Sequence, residues 1–132
     1  MANPNIVNVA TINGESQGLA LGTGDSNVII AAISSSKVVK VNRITVANVD
    51  GAAAADVSLF VDGLTTAGAD GITPTGASAT VYLAKTISVP ADATLVISDT
   101  PIYLMEGDIL KGGASAASDL DLFISYEVLD DA

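Results

Sequence analysis

The chain of 132 residues has no His, no Cys and no Trp, one Arg (Arg43) and four Lys (Lys37, Lys40, Lys85, Lys111). Each shortage closes a class of function. Without Cys there is neither a disulfide framework nor a thiolate metal site, so packing or assembly must supply the stability. Without His the ordinary acid/base group near neutral pH is missing, and no Lys or carboxylate stands in a recognisable catalytic constellation. Fifteen acids, twelve of them Asp, against five bases give a net charge of −10. Such a surface repels phosphate backbones and anionic lipid, which argues against nucleic-acid and membrane partners. No apolar run approaches the roughly 20 residues of a spanning helix. The start, Met1-Ala2-Asn3-Pro4-Asn5, has neither the basic nor the apolar region of a signal peptide. Aromatics are 4% of the chain, so its core has to be built from Val, Ile, Leu and Ala.

What the chain has in quantity is short β-forming segments punctuated by Gly, Asp, Asn and Ser. The pattern predicts strands over residues 6–12, 27–33, 38–49, 56–61, 80–89, 92–97, 101–105, 109–111 and 119–129. Asn13-Gly14 reads as a tight turn closing the first of them. The last segment alternates most cleanly, with Leu120, Leu122, Ile124, Tyr126 and Val128 on one face and Asp119, Asp121, Ser125 and Glu127 on the other. Residues 64–78 and 112–118 read as loops, and 52–55 is an Ala run too short to nucleate a helix. About eight strands at 8–12-residue spacing, with no helical period between them, predict an all-β antiparallel sandwich of jelly-roll type. One domain over residues 1–132, with an extended arm over about 1–8, is the expected organisation.

Sites for chemistry are scarce. Gly22-Thr23-Gly24-Asp25 lacks the Lys-Ser/Thr of a phosphate loop, and Gly112-Gly113 opens no helix. Asp62, Asp70, Asp99, Asp108, Asp119 and Asp121 are the acids placed to meet a hard cation such as Ca²⁺, but their spacing matches no known loop. A solvated acidic rim explains them as well. Sugar hydrolysis needs paired carboxylates and stacking rings, and the only rings are Phe60, Phe123, Tyr82, Tyr103 and Tyr126. The reading is a protein without catalysis and without a cofactor. By strict alternation Phe60 and Phe123 fall on faces opposite the core, which marks them as contacts for another subunit or for the second sheet.

A set of segments also carries a likeness. Pro4-Asn5-Ile6-Val7-Asn8-Val9 is followed by Ser36-Lys37-Val38-Val39-Lys40-Val41-Asn42, then Val46-Ala47-Asn48-Val49-Asp50-Gly51. Leu83-Ala84-Lys85-Thr86-Ile87-Ser88-Val89-Pro90, Ile102-Tyr103-Leu104-Met105-Glu106-Gly107-Asp108 and Ile124-Ser125-Tyr126-Glu127 complete it. In this order they resemble the small virion structural proteins of tailed bacteriophages, particularly those of marine and cyanobacterial hosts. The resemblance implies a role on the particle, foremost a decoration or cement protein on the outer head surface that bridges capsomers. A neck, tail or fibre position and a glycan- or host-surface-binding module are the alternatives. The implied partners are the major capsid protein or other virion proteins, with a homo-oligomer, such as a trimer, assembled in the host cytoplasm. The residues expected to make contacts are Asn3, Pro4, Asn5, Ile6 and Val7 of the arm, Phe60, Leu64 and its loop, and Phe123.

Overall fold

The computed structural model describes residues 9–24, 26–63 and 80–130. They form strands β1 (Thr11–Ala20), β2 (Asn27–Ile30), β3 (Lys37–Asn48), β4 (Ala55–Asp62), β5 (Val81–Val89), β6 (Thr94–Ser98), β7 (Ile102–Leu104), β8 (Ile109–Ala114) and β9 (Leu120–Asp130). One antiparallel sheet runs β1-β9-β3-β6, with β7 also pairing β3, and the other runs β2-β8-β4-β5. β6 and β7 occupy successive stretches of one β3 edge, interrupted around Pro101, which cannot donate to a ladder. The nine strands therefore fill eight positions in two four-position sheets, the jelly-roll arrangement.

The core follows from alternation. β9 turns Leu120, Leu122, Ile124 and Tyr126 inward, and β4 turns Ala55, Val57, Leu59 and Val61 to meet them from the other sheet. β3 buries Val39 and Val41, then slips one residue at a bulge between Val41 and Arg43, and continues with Ile44, Val46 and Asn48 inside. The bulge keeps both halves of a twelve-residue strand facing one core. Almost all of this core is aliphatic, as the shortage of rings requires.

Two local readings are corrected. Asn13-Gly14 is no turn: both residues lie within β1, opposite Val128 and Glu127 of β9. The eleven-residue β9 offers a full ladder, and extended pairing along it outweighs the dipeptide's preference for reversal. β1 is an edge strand exposed along nearly its whole length, so its polar sequence carries no apolar alternation to reveal it. Gly112 and Gly113, expected in a loop, are buried inside β8. A Cβ on Gly112 would strike the Ser58 carbonyl, and one on Gly113 would strike the Gly24 carbonyl. These glycines mark close backbone approach within the sheet rather than flexibility.

Asn48 fastens one end of the sandwich. It is buried on β3, and its Nδ2 donates to the carbonyls of Ala53 (3.0 Å) and Val89 (2.9 Å) while its Oδ1 accepts from the Asp50 N–H (2.9 Å). Val89 closes β5, so this one amide joins the two sheets. At the opposite end Asp108 is buried, and its carboxylate accepts from the Met105 N–H at 2.8 Å. Burial pushes the Asp108 carboxyl above its ordinary value, with the Met105 bond offsetting part of that rise.

Candidate interaction surface

The outer face of the first sheet can be read row by row, because directly paired residues share a face. One row crosses four strands as Gly18, Phe123, Thr45 and Val96, and the next as Ala20, Asp121, Ala47 and Thr94. The Phe123 ring leans over Gly18, with its Cδ2 3.6 Å from where a Cβ would stand. Small neighbours leave the ring 52% exposed, and Val96 is 43% exposed in the same row. Farther along, Lys40 pairs with Glu127 (3.9 Å), and Tyr103 stands 51% exposed opposite Lys40. The result is a broad, shallow surface with apolar points set among small and charge-paired residues.

Phe60, the other ring assigned to an outer face, behaves differently. It does lie on the side of β4 away from the core, between Lys111 of β8 and Tyr82 of β5. It is nevertheless buried: its ring centre lies 5.1 Å from that of Tyr82, and the Lys85 ammonium sits 4.3 Å above the Tyr82 ring. The chain covers Phe60 itself, so it is not an open contact point. Since Phe60 and Phe123 belong to the outer faces of different sheets, the sandwich does not bring them together. Asn3, Pro4, Asn5, Ile6, Val7 and Leu64 lie outside the described residues.

Two of the acids suggested for a cation, Asp62 and Asp108, have other engagements. Asp62 accepts from the Thr80 hydroxyl (2.9 Å), the Lys111 ammonium (3.2 Å) and the Gly63 N–H (3.0 Å), and these bonds, the hydroxyl foremost, hold its carboxyl below the ordinary value. Asp108 is tied to its own turn. Among the described residues no three carboxylates converge on a point that could hold a metal ion. Asp70 lies outside the described residues. Glu15, not singled out in the sequence, accepts from the Tyr126 hydroxyl at 2.9 Å across the β1–β9 ladder. Burial, then this bond, raises the Tyr126 phenol above its ordinary value. Asn48 and Glu15 gave no local signal, because each acquires its role from a strand distant in sequence.

An apolar groove of about 190 Å³ opens between Val81 and Leu83 of β5 and Ile102, Tyr103 and Leu104 of β7. A second depression of about 250 Å³ lies on the outside of the second sheet, lined by Asp56, Ser58, Thr86, Ser115, Gly24, Gly113 and Ala114. No helix is long and apolar enough to cross a membrane among the described residues.

No protein-family model and no curated protein matches the chain. Solved structures with similar backbones include a pilus protein of Bacillus endospore appendages (10% identity, 92% of this chain and 88% of that one, TM-score 0.43). Another is from the infectious bursal disease virus Gx strain (11%, TM-score 0.44), where 91% of this chain spans about a third, 32%, of the other. A third is a pentameric capsid protein from metagenomic phage sequences (17%, 89% of this chain and 62% of that one, TM-score 0.31). These are distant likenesses among pilus and viral proteins, and at such scores they carry no weight for function.

Proposed function

We propose that this chain is a non-enzymatic structural protein of a bacteriophage virion, acting as a decoration or cement protein on the outer surface of the head. The observation that supports the reading is the face of the first sheet. It is wide and shallow, has small residues around an exposed Phe123, and offers apolar points at Val96 and Tyr103. A surface of this kind docks onto another surface and encloses no substrate. Repeated by symmetry, many modest contacts of this type stabilise a shell without any single strong interface. The motif resemblance supports the particle assignment, and the jelly roll supplies a rigid body with two flat faces. In this reading the protein forms one domain over residues 1–132 and associates with itself, as a trimer, and with the major capsid protein. The segment 1–8 is an arm available to a neighbouring subunit.

Cryo-electron microscopy of intact particles tests this directly. Density for the jelly roll outside the head shell, with the Phe123 face turned toward capsomers, is the expected result. Heads lacking the protein should also lose resistance to heat or chaotropes. Density confined to neck, tail or fibres would replace the cement role with a different structural one, and absence from the particle would overturn the virion reading.

A further inference from the structure

The depression on the second sheet brings several hydrogen-bonding side chains together. Gly113 lines it without a side chain, since the Gly24 carbonyl packs where a Cβ would stand. At its wall the β4–β5 register slips between Val57 and Leu59, and Thr86 takes φ +47°, a conformation costly for a β-branched residue. The strain is held by the Ser58 hydroxyl, which accepts the Thr86 N–H at 3.0 Å. The Ser115 hydroxyl is fixed in turn by the Asp56 N–H at 2.8 Å, and the Ser115 N–H returns a bond to the Asp56 carbonyl at 2.9 Å. These bonds fix two hydroxyl oxygens, and Asp56 lines the same depression.

What the depression lacks defines its ligand. No base and no ring lines it. The Asp56 carboxylate has no ion pair among the described residues, where Lys37, Lys40 and Lys111 are taken by Asp130, Glu127 and Asp62. Lys85, on the neighbouring strand, stands over Tyr82. An unpaired carboxylate beside hydroxyl and carbonyl oxygens, on a chain of net charge −10, calls for a cationic hydrogen-bond donor. A guanidinium fits best. Its planar fork meets a carboxylate through two parallel bonds and leaves further N–H groups for surrounding oxygens, whereas an ammonium presents only a compact point charge. We propose that the socket of Asp56, Ser58, Thr86 and Ser115 receives an arginine side chain of a partner protein. The source of that arginine rests on the assembly reading above; the socket itself does not.

The test uses the isolated full chain, labelled with ¹⁵N and titrated with N-acetyl-arginine amide, with the neutral citrulline analogue as control. The expected result is saturable amide shifts centred on Ser58, Thr86, Gly113 and Ser115, little response to citrulline, and at least a tenfold affinity loss in Asp56→Asn. Asp121→Asn, on the other sheet, should bind as the wild type does. If Asp56→Asn fails to fold, intermolecular Overhauser contacts between the arginine side chain and the Ser58 and Thr86 protons of the wild-type protein decide the matter. Shifts spread evenly over the acidic surface, equal binding of citrulline, or absence of those contacts would overturn the proposal. Because no particle is present, that failure would leave the virion reading standing. Arginine binding by a chain absent from particles would reject the virion reading alone.

Discussion

Replacing Asn48 with Ala should cost far more than its size suggests. The substitution leaves the Val89 and Ala53 carbonyls and the Asp50 N–H without their partner. The Val89 bond is buried, so its orphaned carbonyl carries the full penalty of about 2 kcal/mol, within the 1–3 kcal/mol range for such groups. The other two are partly open, and water recovers most of their loss, leaving about 0.5 kcal/mol each. The sum is about 3 kcal/mol, which for a chain of this length lowers Tm by roughly 10–15 °C. Urea unfolding followed by circular dichroism, with calorimetry for Tm, measures both. Asn48→Asp sharpens the test because it keeps the shape and removes both donors. Its carboxylate would face two carbonyls, so its folded-state pKa must rise above the ordinary value of about 3.9. That variant should therefore be least stable at neutral pH and regain stability as pH falls through the raised folded value. An Ala variant within 1 kcal/mol of wild type, or an Asp variant with no added pH dependence, would refute the view of Asn48 as the clasp between sheets.

Three further outcomes follow from the same structure. Gly14→Ala should be neutral or slightly stabilising, since its Cβ meets nothing within 4 Å, while Gly113→Ala should fail to give soluble folded protein; expression yield and circular dichroism distinguish them. Phe60→Ala should lose about 3 kcal/mol of fold stability, as buried ring truncations do, whereas Phe123→Ala should change stability by less than about 1 kcal/mol and weaken attachment to particles. Asp108→Asn keeps an acceptor for the Met105 N–H and removes a buried charge, so it should be the more stable form at neutral pH. Because the folded-state pKa of Asp108 is raised, its ionisation costs stability above that value. The advantage of Asn should shrink as pH falls toward the ordinary carboxylate range, which unfolding measured across pH will show.

The alternation in β4 and β9 was legible because each strand has one face buried by the opposite sheet. A period of two in Val57, Leu59 and Val61, or in Leu120, Leu122 and Ile124, records that burial directly. β1 left no such record, since it is exposed along nearly its whole length and is held chiefly by its backbone ladder to β9. Alternation also assigned Phe60 and Phe123 to outer faces without indicating what lies above them. Tyr82 packs against one ring, and the small residues Gly18 and Thr45 are the cross-strand partners of the other.

By itself the amino-acid sequence determined the all-β class, the aliphatic character of the core and the acidic surface. These follow from local periodicity, turn residues and composition, which act over a few residues at a time. The tertiary structure alone decided which glycines pack backbone to backbone, which ring remains open, that Asn48 joins the sheets, and that Asp56 meets Thr86 and Ser115 in one socket. Those outcomes depend on contacts between strands far apart in sequence, where a side chain's role is set by its partner across the ladder and not by its neighbours along the chain.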